Sequence, residues 1–384
     1  MANLGLTPLI PTIYNALDVV SRELVGVIPA VSLDATYSRA ALGQTVMSPV
    51  VPTMTSSAIV PGLLPPASAP MNIGNIAMTI TNSESVNFDW NGEEQLGLDN
   101  NGANYDRILR DAFAQAMRTM VNKIENSLAS LTVKSSRAWG TPGVSPILGG
   151  IGDIAQARKI LSDNGAPSTD MQMVLGTTAA ANFRSNTQLT KANEAGDTSL
   201  LRRGVLNDIS GFMIRESGQI KTLASGTGAS ATTNAAGYAV GATAITLAAV
   251  GTGTVLAGDI VTFAGDPNKY GVATGTGAVS GGVINLVAPG LMLALPAAAT
   301  AMTVLAASTR NMFFARNAIA LATRLPALPK GGDNADDRIT VTDPLSNLSF
   351  DVAVYKAYHQ VKYDISLAWG VTVTKPEHMG CLIG

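Results

Sequence analysis

The sequence predicts an α+β protein in which a long amphipathic helix lies on a long antiparallel β-ribbon, with an all-β module inserted into an α/β region. Three observations carry this. Leu109, Phe113, Met117, Met120, Ile124, Leu128 and Leu131 form one stripe at helical spacing between Tyr105 and Leu131. From Val361 to Thr374 the chain alternates, with Val361, Tyr363, Ile365, Leu367, Trp369, Val371 and Val373 on one face. The third is a change of composition: the 88 residues between Lys221 and Arg310 hold Asp259, Asp266 and Lys269 as their only charges. At ~1.5 Å per helical residue and ~3.3 Å per strand residue, the stripe and the alternating run both reach about 40 Å, so one can lie along the other.

Composition narrows the classes further. The 384 residues leave room for two or three units of roughly 150 residues. Only 14% are charged, against ~25% in typical soluble chains, while 46% are hydrophobic. A net charge of −2 offers no basic excess for nucleic acid or acidic lipid. One cysteine, Cys381, rules out an intramolecular disulfide and a Cys-cluster metal site. His359 and His378 are the only histidines, too few for zinc or haem chemistry. So much small and apolar surface must be hidden, and a large assembly is the simplest place.

The elements follow in chain order. Met1–Ile10 has neither the basic residue nor the apolar run of a secretory signal. Ile13, Ala16, Val19, Val20, Leu24 and Val27 predict a helix that Pro29 ends, packed on its own domain or docked as an arm on a neighbour. From Ala40 to Ser83 run 44 residues without a charge, with Pro49, Pro52, Pro61, Pro65, Pro66 and Pro70 among Val, Met, Ile and Leu. Prolines favour edges and loop tips, so this reads as an extended loop packing against another chain. Ile76–Trp90 alternates as strand with a turn at Asn82-Ser83. After the long helix, with Asn104 or Asn101 as its cap, come a helix over Asp153–Leu161 and a strand over Met171–Leu175. A helix over Thr177–Arg184 capped by Thr177 or Thr178, polar loops over Ser185–Ser199, and a strand over Ile214–Ile220 complete this region. The Gly/Ala/Thr-rich stretch has short apolar runs separated by turns such as Gly265-Asp266-Pro267-Asn268, which predicts a small barrel or sandwich. Leu286–Ala307 is long enough to span a bilayer, but Pro289, Gly290 and Pro296 favour strands. Helical spacing resumes over Asn311–Ala322, and Phe350, Val352 and Val354 open a final ribbon.

No catalytic constellation emerges. There is no G-x-x-x-x-G-K-[ST] loop and no G-x-S-x-G elbow. Gly251-Thr252-Gly253 and Gly275-Thr276-Gly277 open no helix and read as turns. His359 is expected on a strand and His378 follows Pro376-Glu377 near the C-terminus, both in structural or surface roles; Glu93-Glu94, Asp99 and Asp336-Asp337 are expected in solvated loops. Arg202-Arg203 is a tight basic pair suited to an intersubunit salt bridge or to solvent. The reading is therefore not an enzyme, with no catalytic, cofactor-binding or metal-ligating residues and no cofactor.

The run Thr309-Arg310-Asn311-Met312-Phe313-Phe314-Ala315-Arg316-Asn317-Ala318-Ile319, with Trp369-Gly370-Val371 and Thr374-Lys375-Pro376-Glu377, resembles the major capsid (coat) proteins of tailed double-stranded-DNA phages, in the branch with an inserted β domain. Leu201-Arg202-Arg203-Gly204 and Ile209-Ser210-Gly211-Phe212 are similar to that branch's stretch before the insertion. The resemblance implies the tailed-phage capsid fold: an N-terminal arm (1–39), an extended loop (40–90), a peripheral domain with the spine helix (91–150), and an axial domain in two parts (151–222 and 309–340). The inserted β domain (223–308) lies between those parts, and the peripheral C-terminal strands (341–384) follow. It also implies a homo-oligomer of hexamers and pentamers, a scaffolding protein, a portal protein and packaged double-stranded DNA held by containment, in a virion assembled in the host cytoplasm, with no membrane. Two other classes remain: an encapsulin-like nanocompartment shell, which a cargo enzyme would reveal, and a β-rich surface protein, which an export route would reveal.

Overall fold

The computed structural model describes residues 6, 9–21, 25–50, 73–100, 105–190, 206, 208–343 and 346–384. Helix α1 (Ile10–Ser21) buries Ile13, Ala16, Leu17 and Val20. It packs on the long helix of the same chain, as the first reading of the N-terminal stripe expects. The helix is described as far as Ser21, residues 25–27 are not helical although the stripe predicts a helix to Val27, and a 3-10 turn at Ile28–Ala30 with Pro29 in its first turn redirects the chain.

Strand β1 (Ser32–Ala40) is followed by β2 (Thr45–Val50), β3 (Gly74–Thr79) and β4 (Asn82–Asn91). Helix α2 (Gly92–Asn100) occupies the stretch of Glu93, Glu94 and Asp99 expected as loop. The start is a capping box: the Glu94 N–H donates to Asn91 Oδ1 at 2.7 Å, and the Asn91 N–H to Glu94 Oε2 at 3.1 Å. The spine helix α3 (Tyr105–Ala129) continues into a 3-10 turn, Ser130–Lys134. The proposed caps Asn101 and Asn104 lie outside the described residues.

The next region contains β5 (Arg137–Gly140), α4 (Gly152–Asp163), β6 (Met171–Leu175), α5 (Thr177–Ser185), α6 (Thr187–Thr190) and β7 (Phe212–Glu216). The N-cap of α5 is Gly176, with no side-chain cap bond, so neither Thr177 nor Thr178 plays that part. Short strands follow: β8 (Thr222–Leu223), β9 (Ala231–Thr232), β10 (Ala244–Thr246), β11 (Ile260–Phe263), β12 (Lys269–Thr274), β13 (Val283–Leu286) and β14 (Ala301–Val304).

The predicted helix over Asn311–Ala322 is instead β15 (Ser308–Ala315), a 3-10 turn at Arg316–Ala318, and β16 (Ile319–Pro326). Met312, Phe313, Phe314 and Ala315 are all buried, because this strand is covered on both faces. A strand buried on both faces loses its period of two, and its apolar run then imitates a helix. The chain closes with β17 (Asp337–Thr342), β18 (Ser349–Ala357), β19 (Gln360–Val373) and β20 (Met379–Ile383).

Among the described residues, one sheet has the order β1-β16-β19-β18-β17, with β4 also paired to β19. Strand β19 is its axis, pairing with β4 from Gln360↔Asn91 to Trp369↔Asn82 and with β18 from Asp351↔Ser366 to Ala357↔Gln360. The inward face of β19 meets α3, as the two 40 Å runs require. Phe113 lies edge-on to Phe88 (5.1 Å) and to Tyr363 (5.3 Å). The second sheet runs β7-β6-β15-β20-β5-β12-β11-β14-β9. The short strands have a core of their own, including Val261, Phe263, Tyr270, Val272, Ile284 and Leu286. They join the second sheet through Lys269↔Ala138 and Tyr270↔Arg137. No helix among the described residues is long and apolar enough to cross a membrane, and Leu286–Ala307 holds the end of β13, turns and β14.

Glu125 is fully buried under this architecture. Its Oε1 accepts the Gly26 N–H at 2.8 Å and the Val27 N–H at 2.7 Å, and its Oε2 accepts the Ile28 N–H at 2.9 Å. Glu125→Ala leaves three buried donors unmet, at a cost on the order of 3 kcal/mol or more. Glu125→Gln is expected to fall between this variant and the wild type, since its carbonyl oxygen still accepts. Urea denaturation of the full-length chain checks both.

Candidate functional site

Within the uncharged segment 40–83, Thr45–Val50 and Gly74–Thr79 form a two-stranded ribbon. Strands β2 and β3 pair from Thr45↔Thr79 to Val50↔Gly74 and, among the described residues, pair with nothing else. Residues 51–72, with Pro52, Pro61, Pro65, Pro66 and Pro70, lie outside the described residues. Leu42, Met47 and Ile73 are exposed, Met47 to 64%. An isolated two-stranded ribbon is marginal in water, and protein edges normally carry charges that block pairing with other chains. This ribbon carries none.

Its root is firmly built. Ala40, Met78 and Ile80 pack on Ala322 and Ala368 of the first sheet. Gly370 lies directly beneath β3: a Cβ there would stand 2.1 Å from the Thr79 carbonyl oxygen. Only glycine allows the ribbon this close to β19. The Thr81 N–H donates to the Trp369 carbonyl at 3.2 Å. Between ribbon and sheet lies a cleft of ≈ 370 Å³ bordered by Asp34, Ile76, Met78, Ala320, Thr372 and Thr374.

A charged cluster secures the same root from the other side. Asp351 is fully buried, and its Oδ2 accepts Arg39 Nη1 at 2.9 Å and Arg338 Nη1 at 2.6 Å. Arg39 also donates to the Pro326 carbonyl at 2.8 Å. Arg338 reaches on to Asp333, which accepts the Tyr355 hydroxyl at 2.7 Å. That phenol bond first, and Arg338 with it, hold the Asp333 carboxyl below the usual carboxylate range. Removing one member of such a buried set strands the others, so the cluster fixes where β1 ends and the ribbon begins.

The other singled-out residues are scattered. His359 sits in the β18–β19 turn rather than on a strand. His378 is buried in a 3-10 turn, Pro376–His378, between β19 and β20, which fits the structural one of its two expected roles. Asp259 and Asp266 are buried as turn-builders: Asp259 accepts the N–H groups of Gly226 and Leu256, and Asp266 those of Asn268 and the Tyr270 hydroxyl. Lys269 Nζ donates to the Gly140 carbonyl, and burial pulls its pKa down. Cys381 is buried and its thiol is pushed up by burial. Asp336 pairs with Lys356 at 2.5 Å. Arg202-Arg203 falls outside the described residues. Among the described residues no group of three or more His, Cys, Asp or Glu could hold a metal ion.

Sequence reasoning missed Glu125 and Asp351. Glu125 is not one of the apolar stripe residues, yet it lies four residues after Val121 and three before Leu128, both buried, and that row is the available signal. Asp351 stands at a polar position of an alternating strand, and nothing local marks it as buried.

No family model matches the chain, and no curated protein sequence matches it. Solved structures do resemble it. The capsid structure of cyanophage P-SCSP1u is 12% identical, with 92% of this chain and 86% of that one covered at a TM-score of 0.48. The capsid of a native GTA particle is 10% identical, covering 94% and 90% at 0.47. A virus-like particle from Pyrococcus furiosus is 9% identical, covering 97% and 98% at 0.43. Scores of this size transfer no function.

The buried His378 has a measurable consequence. Its Nδ1 has no hydrogen-bond partner, and burial first, with Lys375 adding, depresses its pKa below the usual value near 6.5. The unfolded chain therefore takes up this proton at a higher pH than the folded chain. The stability it contributes is present above about pH 6.5 and declines as pH falls toward the folded pKa. His378→Gln is expected to flatten the melting temperature between pH 7 and 5 relative to wild type, as parallel thermal melts would show.

Proposed function

We propose that this chain is a structural shell subunit, a major capsid protein of the tailed double-stranded-DNA phage type. It self-assembles into an icosahedral shell that encloses the genome. The observation that carries the reading is the ribbon: two strands with uncharged edges, exposed apolar side chains and a tightly built root. Such an element is anchored in one molecule and covered by another. The residues of the capsid-type motifs around Thr309–Ile319 and Trp369–Val371 lie on β15, β16 and β19, inner strands of the two sheets, although the return helix expected at Asn311–Ala322 is replaced by strands. Low charge suits extensive subunit contacts, whose centres are depleted of charged residues. Hexamers and pentamers, a scaffolding protein, a portal and host-cytoplasmic assembly belong to this proposal, as does the β module at 223–308 as an inserted domain.

Purified protein is expected to sediment as capsomers or shells and to show closed particles by negative stain. Deleting residues 44–72 removes β2 and the connection to β3 and should leave soluble subunits that do not assemble. A wild-type chain that stays monomeric even with its scaffolding protein overturns the reading.

DNA is expected to be contained rather than gripped. With 25 basic against 27 acidic side chains, free subunits should bind short duplexes no tighter than ~10⁻⁴ to 10⁻⁶ M at physiological salt, without sequence preference. Fluorescence anisotropy at two salt concentrations checks this. Nanomolar affinity would point to a DNA-recognition factor instead.

A further inference from the structure

We infer that the tip of the β18–β19 hairpin is a knob-and-socket contact between copies of this chain, with Tyr358 of one copy seated beside Trp90 of the next. The inference rests on the shell reading above. Strands β18 and β19 are joined by the two residues Tyr358 and His359, closed by the pair Ala357↔Gln360. Tyr358 is 91% exposed, the most exposed large hydrophobic side chain among the described residues. His359 holds a φ of +54°, a left-handed conformation uncommon in residues other than glycine. Two-residue hairpin turns favour Asn-Gly or Asp-Gly, so the local backbone gives no reason for an aromatic residue here. The His359 ring stands edge-on to Tyr358 at 4.3 Å.

The tip is braced. The Gly92 N–H donates to the His359 carbonyl at 3.1 Å, Gln360 bonds to Asp89, and Lys356 pairs with Asp336. At the base of the turn lies a pocket of ≈ 250 Å³ bordered by Trp90, Gln95, Lys356, His359 and Val361. His359 borders the socket and also touches the knob, so both features belong to one small tip. Copies arranged around a rotation axis can each place their knob in the next socket, and such a head-to-tail contact closes into a ring. The chemistry matches an uncharged aromatic guest: the indole of Trp90 and the Val361 side chain offer apolar walls. Lys356, its charge already paired with Asp336, offers a cation to the ring face. Exposed tyrosines on rigid supports are the residues that dominate binding energy at protein contacts.

The test uses the full-length chain. Tyr358→Ala removes the knob. Gly92→Leu adds a side chain at the border of the socket, where a Cβ meets nothing of its own chain within 4 Å. Both variants should melt as the wild type does and raise the concentration needed for shell formation by about tenfold or more. Tyr358→Phe should assemble near the wild-type threshold. In the Tyr358→Cys, Gln95→Cys double variant, oxidation of assembled particles should give disulfide-linked multimers on non-reducing gels, the native Cys381 being buried. Wild-type shells with Tyr358→Ala and Gly92→Leu assembling at the same threshold overturn the contact and leave the shell reading standing. A wild-type chain that never assembles overturns both.

Discussion

Glu125 stands in the main hydrophobic core with both carboxylate oxygens engaged by the backbone of Gly26, Val27 and Ile28. A charge so deeply buried is tolerated only when hydrogen bonds replace its water. The backbone turn after α1 supplies them, and in exchange the turn's own N–H groups, which no regular element satisfies, find acceptors. The carboxylate thus ties the N-terminal segment to the middle of the spine helix. From that point α1 can lie only along α3, and β1 can enter only at the edge of the first sheet beside β16.

The first sheet then transmits this order outward. Its inner face packs Phe88 and Tyr363 against Phe113 of the helix, while its outer face is divided in two. One half is made of small residues, Ala322, Ala368 and Gly370, over which the ribbon root folds. The other half is polar and centres on Asp351 with Arg39 and Arg338. Arg39 belongs to the strand leading into the ribbon, so the polar cluster and the glycine contact hold the same element by different means. The exposed ribbon beyond is uncharged, and the tip of β18–β19 presents Tyr358 at another edge of the same sheet. Rigid roots with apolar ends are the features on which the proposed contacts between copies rest.

Much of this was legible in the chain. The stripe from Leu109 to Leu131 and the alternation from Val361 to Val373 identify the spine helix and its strand, because each period is a direct consequence of backbone geometry. The loss of charge after Lys221 marks the short-strand module, since a small β core needs apolar runs and turns rather than ions. The absence of charge from Ala40 to Ser83 marks the ribbon as a surface intended for burial.

Other decisions belonged to the tertiary structure alone. Met312–Ala315 becomes a strand because both of its faces are covered, and a continuous apolar run carries no period by which a sequence could say so. Glu125 is buried because the distant segment Gly26–Ile28 arrives to satisfy it, and Asp351 Oδ2 because Arg39 and the neighbouring strand's Arg338 reach it. The need for glycine at position 370 arises from a strand nearly three hundred residues earlier crossing above it. Periodicity and composition are local properties, so the sequence determined the elements and the surfaces that must be hidden. Close approaches and the partners of buried charges depend on which segments meet, and only the folded chain decides that.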